Sequence, residues 1–258
     1  MRRPLILVTN DDGISAPGIR NLIRIMNDFG DVVVVAPNSP QSAKGHAITI
    51  ENTIRCDKVN IEKGPQIEYS CSGTPVDCVK LAINQLLSRK PDLCVSGINH
   101  GSNSSINVIY SGTMSAAVEG ALAGIPSIGF SLLDYAHNAD FSELEQYIRK
   151  ITKQVLEVGL DDGVCLNINI PRKIEGEEIK GLKVCRQANA KWEEEFEERI
   201  DPKGRAYYWL TGKFVNYDIG TDTDEWALAN HYVSVVPIQF DVTAYSSLVS
   251  INNLLIDE

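Results

Sequence analysis

The first 36 residues restrict the fold more than any other part of the chain. Leu5 to Thr9 (LILVT) is a continuous apolar run, not an alternating one, so both of its faces should be covered. Ala16-Pro17-Gly18 then opens a helix, with Pro17 near its first position. Ile19, Leu22, Ile23 and Met26 follow at helical spacing, and Gly30 is the expected stop. Asp31 to Ala36 (DVVVVA) is a second buried run. Strand, helix and strand make a βαβ unit, the opening of a Rossmann-like parallel sheet.

The same alternation continues. Short strands are expected between Ile48 and Ser70. A helix from Thr74 follows, with Thr74 as N-cap and Pro75 at its first position. Leu93 to Val95 is a strand, residues 96–113 a long loop, and Thr113 to Ala123 a helix rich in small residues. Ile125 to Leu132 is a strand and Phe141 to Val158 an amphipathic helix striped by Leu144, Ile148, Ile151, Val155 and Val158. Val164 to Ile170 is a further strand. Beyond Pro171 the pattern changes. Charge and aromatics mix around an Asp-Pro-Lys-Gly turn, which predicts an antiparallel ribbon, and HYVSVVPIQF should return to the body as a strand. The expectation is one α/β domain over residues 1–258, with a core to about 171 and an extension over about 172–258.

Ligands of an open parallel sheet bind at the carboxyl ends of its strands. Three polar clusters fall there. The first strand delivers Asn10-Asp11-Asp12-Gly13; the second delivers Asn38 to His46, with Ser39 and Ser42; a third delivers Ser96 to Asn99, running to Asn103 and then Ser111-Gly112-Thr113. By itself Asp-Asp-Gly is a turn signal, Ser42 a loop serine and Asn99 a turn residue. Together, carboxylate, hydroxyl and amide oxygens on one edge suit a hard cation such as Mg²⁺ or Mn²⁺. YSGT before the small-residue helix offers free amides and two hydroxyls as a phosphate seat, or else a plain N-cap. No Lys or Arg stands between Lys90 and Arg149, so a phosphate there needs the cation for balance. His46 and His100 lie near these clusters in sequence, with no role assigned.

Net charge excludes some functions. At −10 over 258 residues, the chain is not built to bind a nucleic-acid polymer by charge. The six cysteines form no C-x-x-C pair and several sit in apolar runs, so they are expected to be reduced and structural, in keeping with the cytosol. The apolar run after Arg2 and Arg3 is too short for a signal peptide, and no stretch reaches membrane-span length.

These motifs resemble one family in combination. TNDDGISAPGI, VVAPNSPQSAKGHAIT, SGTPVDCV, VSGINHGSN, VIYSGTMSAAVEGALAGIPSI, DPKGRAYYWLTG and GTDTDEWALANHYVSVVPI resemble the SurE (survival protein E) family of metal-dependent nucleotidases, across nearly the whole chain. The resemblance implies a Rossmann-like three-layer α/β/α fold with a mostly parallel sheet and a C-terminal antiparallel arm exchanged between subunits, as a homodimer or homotetramer. It implies hydrolysis of nucleoside monophosphates, with polyphosphate as a side substrate. It implies one divalent ion on Asp11, Asp12, Ser42 and Asn99, with Asp11 acting on the attacking water and Asp12 as the firmer ligand. Phosphate contacts are implied near Asn103, Ser111, Gly112 and Thr113. Two positions depart from the pattern: Asn38 where the family often has Asp, and Ala43 where it has Gly. Three other classes fit less well. A haloacid-dehalogenase-type phosphatase needs an acid where Gly13 stands; a receiver domain is about half this length; a dinucleotide-binding module needs a G-x-G-x-x-G turn.

Overall fold

The structure, a computed structural model, describes residues 2–136, 139–174 and 176–256. The opening unit is β1 (Leu5–Thr9), α1 (Pro17–Met26) and β2 (Asp31–Pro37). Helix α1 stops at Met26 with Asn27 as its cap, one turn before the expected Gly30. Next come β3 (Cys56–Val59), β4 (Ile67–Cys71) and α2 (Pro75–Leu81). Thr74 caps α2 through a reciprocal box. Its hydroxyl accepts from Asp77 N, and Asp77 accepts from Thr74 N at 2.9 Å.

Strand β5 (Leu93–His100) is longer than expected, and the loop after it contains a short helix, α3 (Asn107–Tyr110). Helix α4 (Gly112–Leu122), β6 (Ser127–Leu132), α5 (Leu144–Val158) and β7 (Val164–Ile170) complete the core. Beyond residue 171 lie β8 (Leu182–Val184), the ribbon of β9 (Ala190–Ile200) and β10 (Ala206–Asn216), α6 (Asp224–Ala229), β11 (Val233–Gln239) and α7 (Leu248–Leu255).

Nine strands form one sheet in the order β3-β4-β2-β1-β5-β6-β7-β11-β8. The six strands from β4 to β7 are parallel; β3 and β11 join antiparallel at either side. The predicted return of the late strand is β11, so the segment after 171 adds two strands to the same sheet. Alternate residues feed two layers. Ile6, Val8, Val32 and Val34 meet α1 and α5, while Leu7, Val33, Val35 and Cys94 meet α2 and α4.

The layers carry a topological exception. The connections β1–α1–β2 and β6–α5–β7 run in opposite directions across the sheet, yet both helices lie on one face, so their hands differ. The connections through α2 and α4 use the other face and share the hand of β1–α1–β2. Three connections therefore keep the usual right hand and the one through α5 reverses it.

The cysteine expectation needs one correction. Cys56 and Cys71 are cross-strand neighbours in the antiparallel β3–β4 pair, 4.1 Å apart at Cα, and are joined by a disulfide. Cys78, Cys94, Cys165 and Cys185 are free and buried as expected. With one pair oxidised, the cysteines no longer argue for a reducing compartment. Among the described residues no helix is long and apolar enough to cross a membrane.

Candidate active site at the carboxyl edge of the sheet

The three polar clusters converge. Asp11, Asp12, Ser42, Asn99, His100, Asn103 and Ser111 line one cavity of about 270 Å³ at the carboxyl ends of β1, β2 and β5. Each reaches it for a local reason. After β1, the Asn10 amide donates to Gly13 O at 3.0 Å, and Gly13 takes φ +99, so the turn reverses at once and turns the two carboxylates to the edge. Gln41 N donates to Asp11 O at 2.7 Å, which lays Ser42 beside the carboxylates. Asn99 arrives through a bulge: the β5–β6 register shifts between Ser96 and Asn99. Its amide nitrogen donates to Gly101 O at 2.9 Å, which turns its oxygen toward Thr113, 3.5 Å away.

Asp11 is 3% exposed. Burial, with the Asp12 charge beside it, pushes its carboxyl up to about 6, even though the Thr113 hydroxyl donates to Oδ1 at 2.5 Å. Asp12 is half-buried and also raised by burial, and it accepts from His100 N at 3.4 Å. Among the described residues no Lys or Arg lines the cavity. Two desolvated carboxylates with His100 as the one basic side chain beside them among the described residues, together with an amide oxygen and a hydroxyl, fit a hard divalent cation. Among the described residues no cluster of three His, Cys, Asp or Glu exists, so a zinc-type donor set does not compete.

Gly112 and Thr113 sit behind the cavity wall, at the start of α4. A Cβ on Gly112 would lie 2.7 Å from Asp11 Cβ, so its bare backbone lets the helix end close on the carboxylate. The Thr113 hydroxyl, expected at the phosphate, is instead committed to Asp11; the residue is fully buried. Ser111 is the N-cap: its Oγ accepts from Met114 N at 3.0 Å, which leaves the hydroxyl hydrogen free. Ala43 takes φ +59, the left-handed backbone that glycine adopts more readily than alanine. His46 does not join the site; it contacts Glu119 at 3.0 Å instead.

Sequence reasoning missed the support beneath Asn103. Asn169 Oδ1 accepts from Asn103 N at 2.8 Å, Asn167 donates to Asn103 O at 2.8 Å, and Asn103 donates to Ser131 Oγ at 2.9 Å. Asn169 in turn donates to Asn167. Next along the loop, Ser105 N donates to Asp224 Oδ2 and Ser104 donates to Glu225, both at the start of α6. The signal available was two amides at alternate positions of a buried strand, VCLNINI, where apolar residues are the rule. Asn169→Leu is expected to leave Asn103 N–H unpaired and cost about 1–3 kcal/mol, a drop of roughly 3–10 °C in Tm. Calorimetry checks this, and an unchanged Tm would show that the network bears no load.

Comparison with known proteins identifies the family. The family pattern described as Survival protein SurE matches residues 6–194. The chain belongs to the SurE family. This SurE-family chain is 65% identical over 253 residues to a 5'-nucleotidase SurE from Flavobacterium psychrophilum, covering 98% of both. It is 67% identical over 245 residues to a protein of the same name from Christiangramia forsetii, covering 95% of this chain and 94% of that one. Its fold superposes on the crystal structure of the SurE protein from Aquifex aeolicus with TM-score 0.83 and 40% identity, covering 97% of this chain and 99% of that one.

Proposed function

We propose that this chain is a phosphomonoesterase that hydrolyses nucleoside monophosphates to nucleoside and phosphate, using one Mg²⁺ or Mn²⁺ per subunit. The observation that carries the reading is the pair of desolvated carboxylates facing a cavity without Lys or Arg. High identity to proteins named 5'-nucleotidase supports the substrate class. When bound, the cation supplies the charge that draws the phosphoryl oxygens in and acidifies water.

The protein's own groups do the rest. Asp11, Asp12, Ser42 and Asn99 hold the ion. Thr113 fixes Asp11 Oδ1, which leaves Oδ2 to take the proton of the attacking water once the carboxyl is ionised. Asn103, the Ser111 hydroxyl and the amides of Gly112 and Thr113 hold the phosphate at the helix start, where N–H groups lack intrahelical partners. The terminal phosphate of polyphosphate fits the same donors. Cytoplasmic residence belongs to this reading, because nucleoside monophosphates are turned over there.

The test is phosphate release from a panel of nucleotides and simple phosphate esters. Chelation is expected to abolish it and Mg²⁺ or Mn²⁺ to restore it; full turnover in chelator-treated protein would sink the assignment. Stability gives a second readout. Asp11 binds its proton more tightly folded, at about 6, than unfolded, at 3.8. Metal-free protein therefore loses stability as pH rises between these values, and added cation offsets that loss above them. At a hundred times its Kd the ion contributes about 2.7 kcal/mol, or roughly 5–10 °C in Tm, with a smaller gain at pH 5 than at pH 7.5. Equal gains at both would argue against binding on these carboxylates.

A homodimer or homotetramer completes the proposal. The β9–β10 ribbon pairs only with itself among the described strands, and α7 exposes Leu248, Val249, Leu254 and Leu255. Surfaces of this kind need a partner, and exchange of the arm between subunits supplies one. Light scattering should give a dimer or larger; a stable, active monomer at micromolar concentration would refute it.

A further inference from the structure

The reaction proposed above breaks the bond between phosphorus and the nucleoside oxygen, and an alkoxide leaves far more easily with a proton. Asp11 takes a proton from the attacking water, so a different group has to give one. Among the described residues no Lys or Arg lines the cavity. His100 does, but its ring packs in an edge contact with Phe141, with centroids 5.4 Å apart. Ser102 lines the same cavity, and behind it stands a carboxylate that the reaction has not used, Glu225.

Three oxygens join the cavity to the start of α6. Ser102 Oγ lies 2.6 Å from Ser104 Oγ, and Ser104 Oγ donates to Glu225 Oε1. Ser102 and Glu225, at the two ends, are half-buried, while Ser104 between them is buried. Asp224 already ties α6 to its surroundings, accepting from Ser105 N at 2.8 Å and from Ala188 N at 2.9 Å. The Glu225 side chain has Ser104 as its one hydrogen-bond partner among the described residues. Burial raises the Glu225 carboxyl above its ordinary value, against the pull of the Ser104 hydrogen bond, and the Asp224 charge adds to the rise.

The hydrogens of this chain can be counted. Ser102 Oγ accepts from Ser104 N at 3.1 Å, which leaves it one lone pair and its own hydrogen. With Glu225 ionised, Ser104 donates to the carboxylate and Ser102 donates to Ser104. With a proton on Glu225, the same two bonds run the other way: Glu225 donates to Ser104, and Ser104 donates to Ser102. Both lone pairs of Ser102 are then taken, and its hydrogen is left for the cavity. We propose that Ser102 is the general acid of this site, giving its proton to the departing nucleoside oxygen and taking one back from Glu225 through Ser104. The phosphorus–oxygen bond breaks with its electron pair on the nucleoside oxygen, and an O–H bond forms there. One proton moves along each hydrogen bond of the chain, and Glu225 ends as a carboxylate. Its half-exposed position lets it regain a proton from water. The proposal rests on the phosphomonoesterase reading above and adds the proton that the leaving group needs.

The experiment compares kcat for two esters with saturating Mg²⁺ or Mn²⁺. Adenosine 5'-monophosphate expels an alkoxide, which needs a proton; p-nitrophenyl phosphate expels a phenolate, which leaves without one. Ser102→Ala and Glu225→Gln should each lower kcat for the nucleotide about a hundredfold, and that for p-nitrophenyl phosphate by no more than about threefold. Ser102→Thr, which restores a hydroxyl, should keep most of the nucleotide activity. Similar losses on both esters would make the chain a brace for the Asn103 loop and overturn the proposal. An unchanged nucleotide kcat in either variant, or a loss confined to the nucleotide in His100→Gln alone, would overturn it as well. Should Glu225→Gln not fold, Ser102→Ala and Ser102→Thr, at a half-buried position, still decide the matter. A parent protein that releases phosphate from neither ester would instead refute the phosphomonoesterase reading.

Discussion

Asp12→Asn is expected to lower kcat/KM for a nucleoside monophosphate about a hundred- to a thousandfold and to leave the fold intact. The size follows from removing one preorganised charge from an electrostatic site. Asp12 contributes little to stability. It is half-buried, its side chain accepts one hydrogen bond among the described residues, from His100 N at 3.4 Å, and its charge raises the pKa of Asp11. Asparagine keeps the shape and removes that repulsion, so metal-free protein should melt at the parent temperature or slightly above. The gain in Tm on adding Mg²⁺ or Mn²⁺ should shrink at the same time. Steady-state kinetics with saturating metal and calorimetry with and without it check both halves. Parent-like turnover would place the chemistry elsewhere.

Gly112→Ala is expected to separate activity from stability. Alanine favours a helix over glycine by about 1 kcal/mol, so local propensity alone predicts a more stable protein. The new Cβ, however, would lie 2.7 Å from Asp11 Cβ and 2.9 Å from Asp11 Oδ2. Either the carboxylate swings away or the start of α4 retreats, and both dismantle the arrangement of Thr113, Asp11 and Asn99. Turnover should fall at least about tenfold, since misplacement by about 1 Å can cost a hundredfold, while Tm changes by no more than a few degrees. Activity within twofold of the parent would mean that Asp11 has room to spare and that its close packing on the helix is incidental.

The sequence alone determined what is local. The strand, helix and strand of residues 5–37 were legible because burial on both faces demands an unbroken apolar run, and because Pro17 has one natural place in a helix. Thr74 and Asp77 sit three residues apart, so their capping box needs nothing from the rest of the chain. The polar clusters were legible because a parallel sheet puts every such turn on one edge, whatever the strand order.

Tertiary structure decided what depends on distant partners. Thr113 was read as a phosphate donor, but its hydroxyl serves Asp11, 102 residues away. Asn103 is held by Asn169 across 66 residues, a pairing that periodicity within VCLNINI cannot disclose. Cys56 meets Cys71 only because β3 runs antiparallel to β4 in that register. The reversed hand of the connection through α5 follows from strand order and helix face together. Neither is written in the pattern of α5, since an amphipathic stripe specifies burial of one face without saying which side of the sheet covers it.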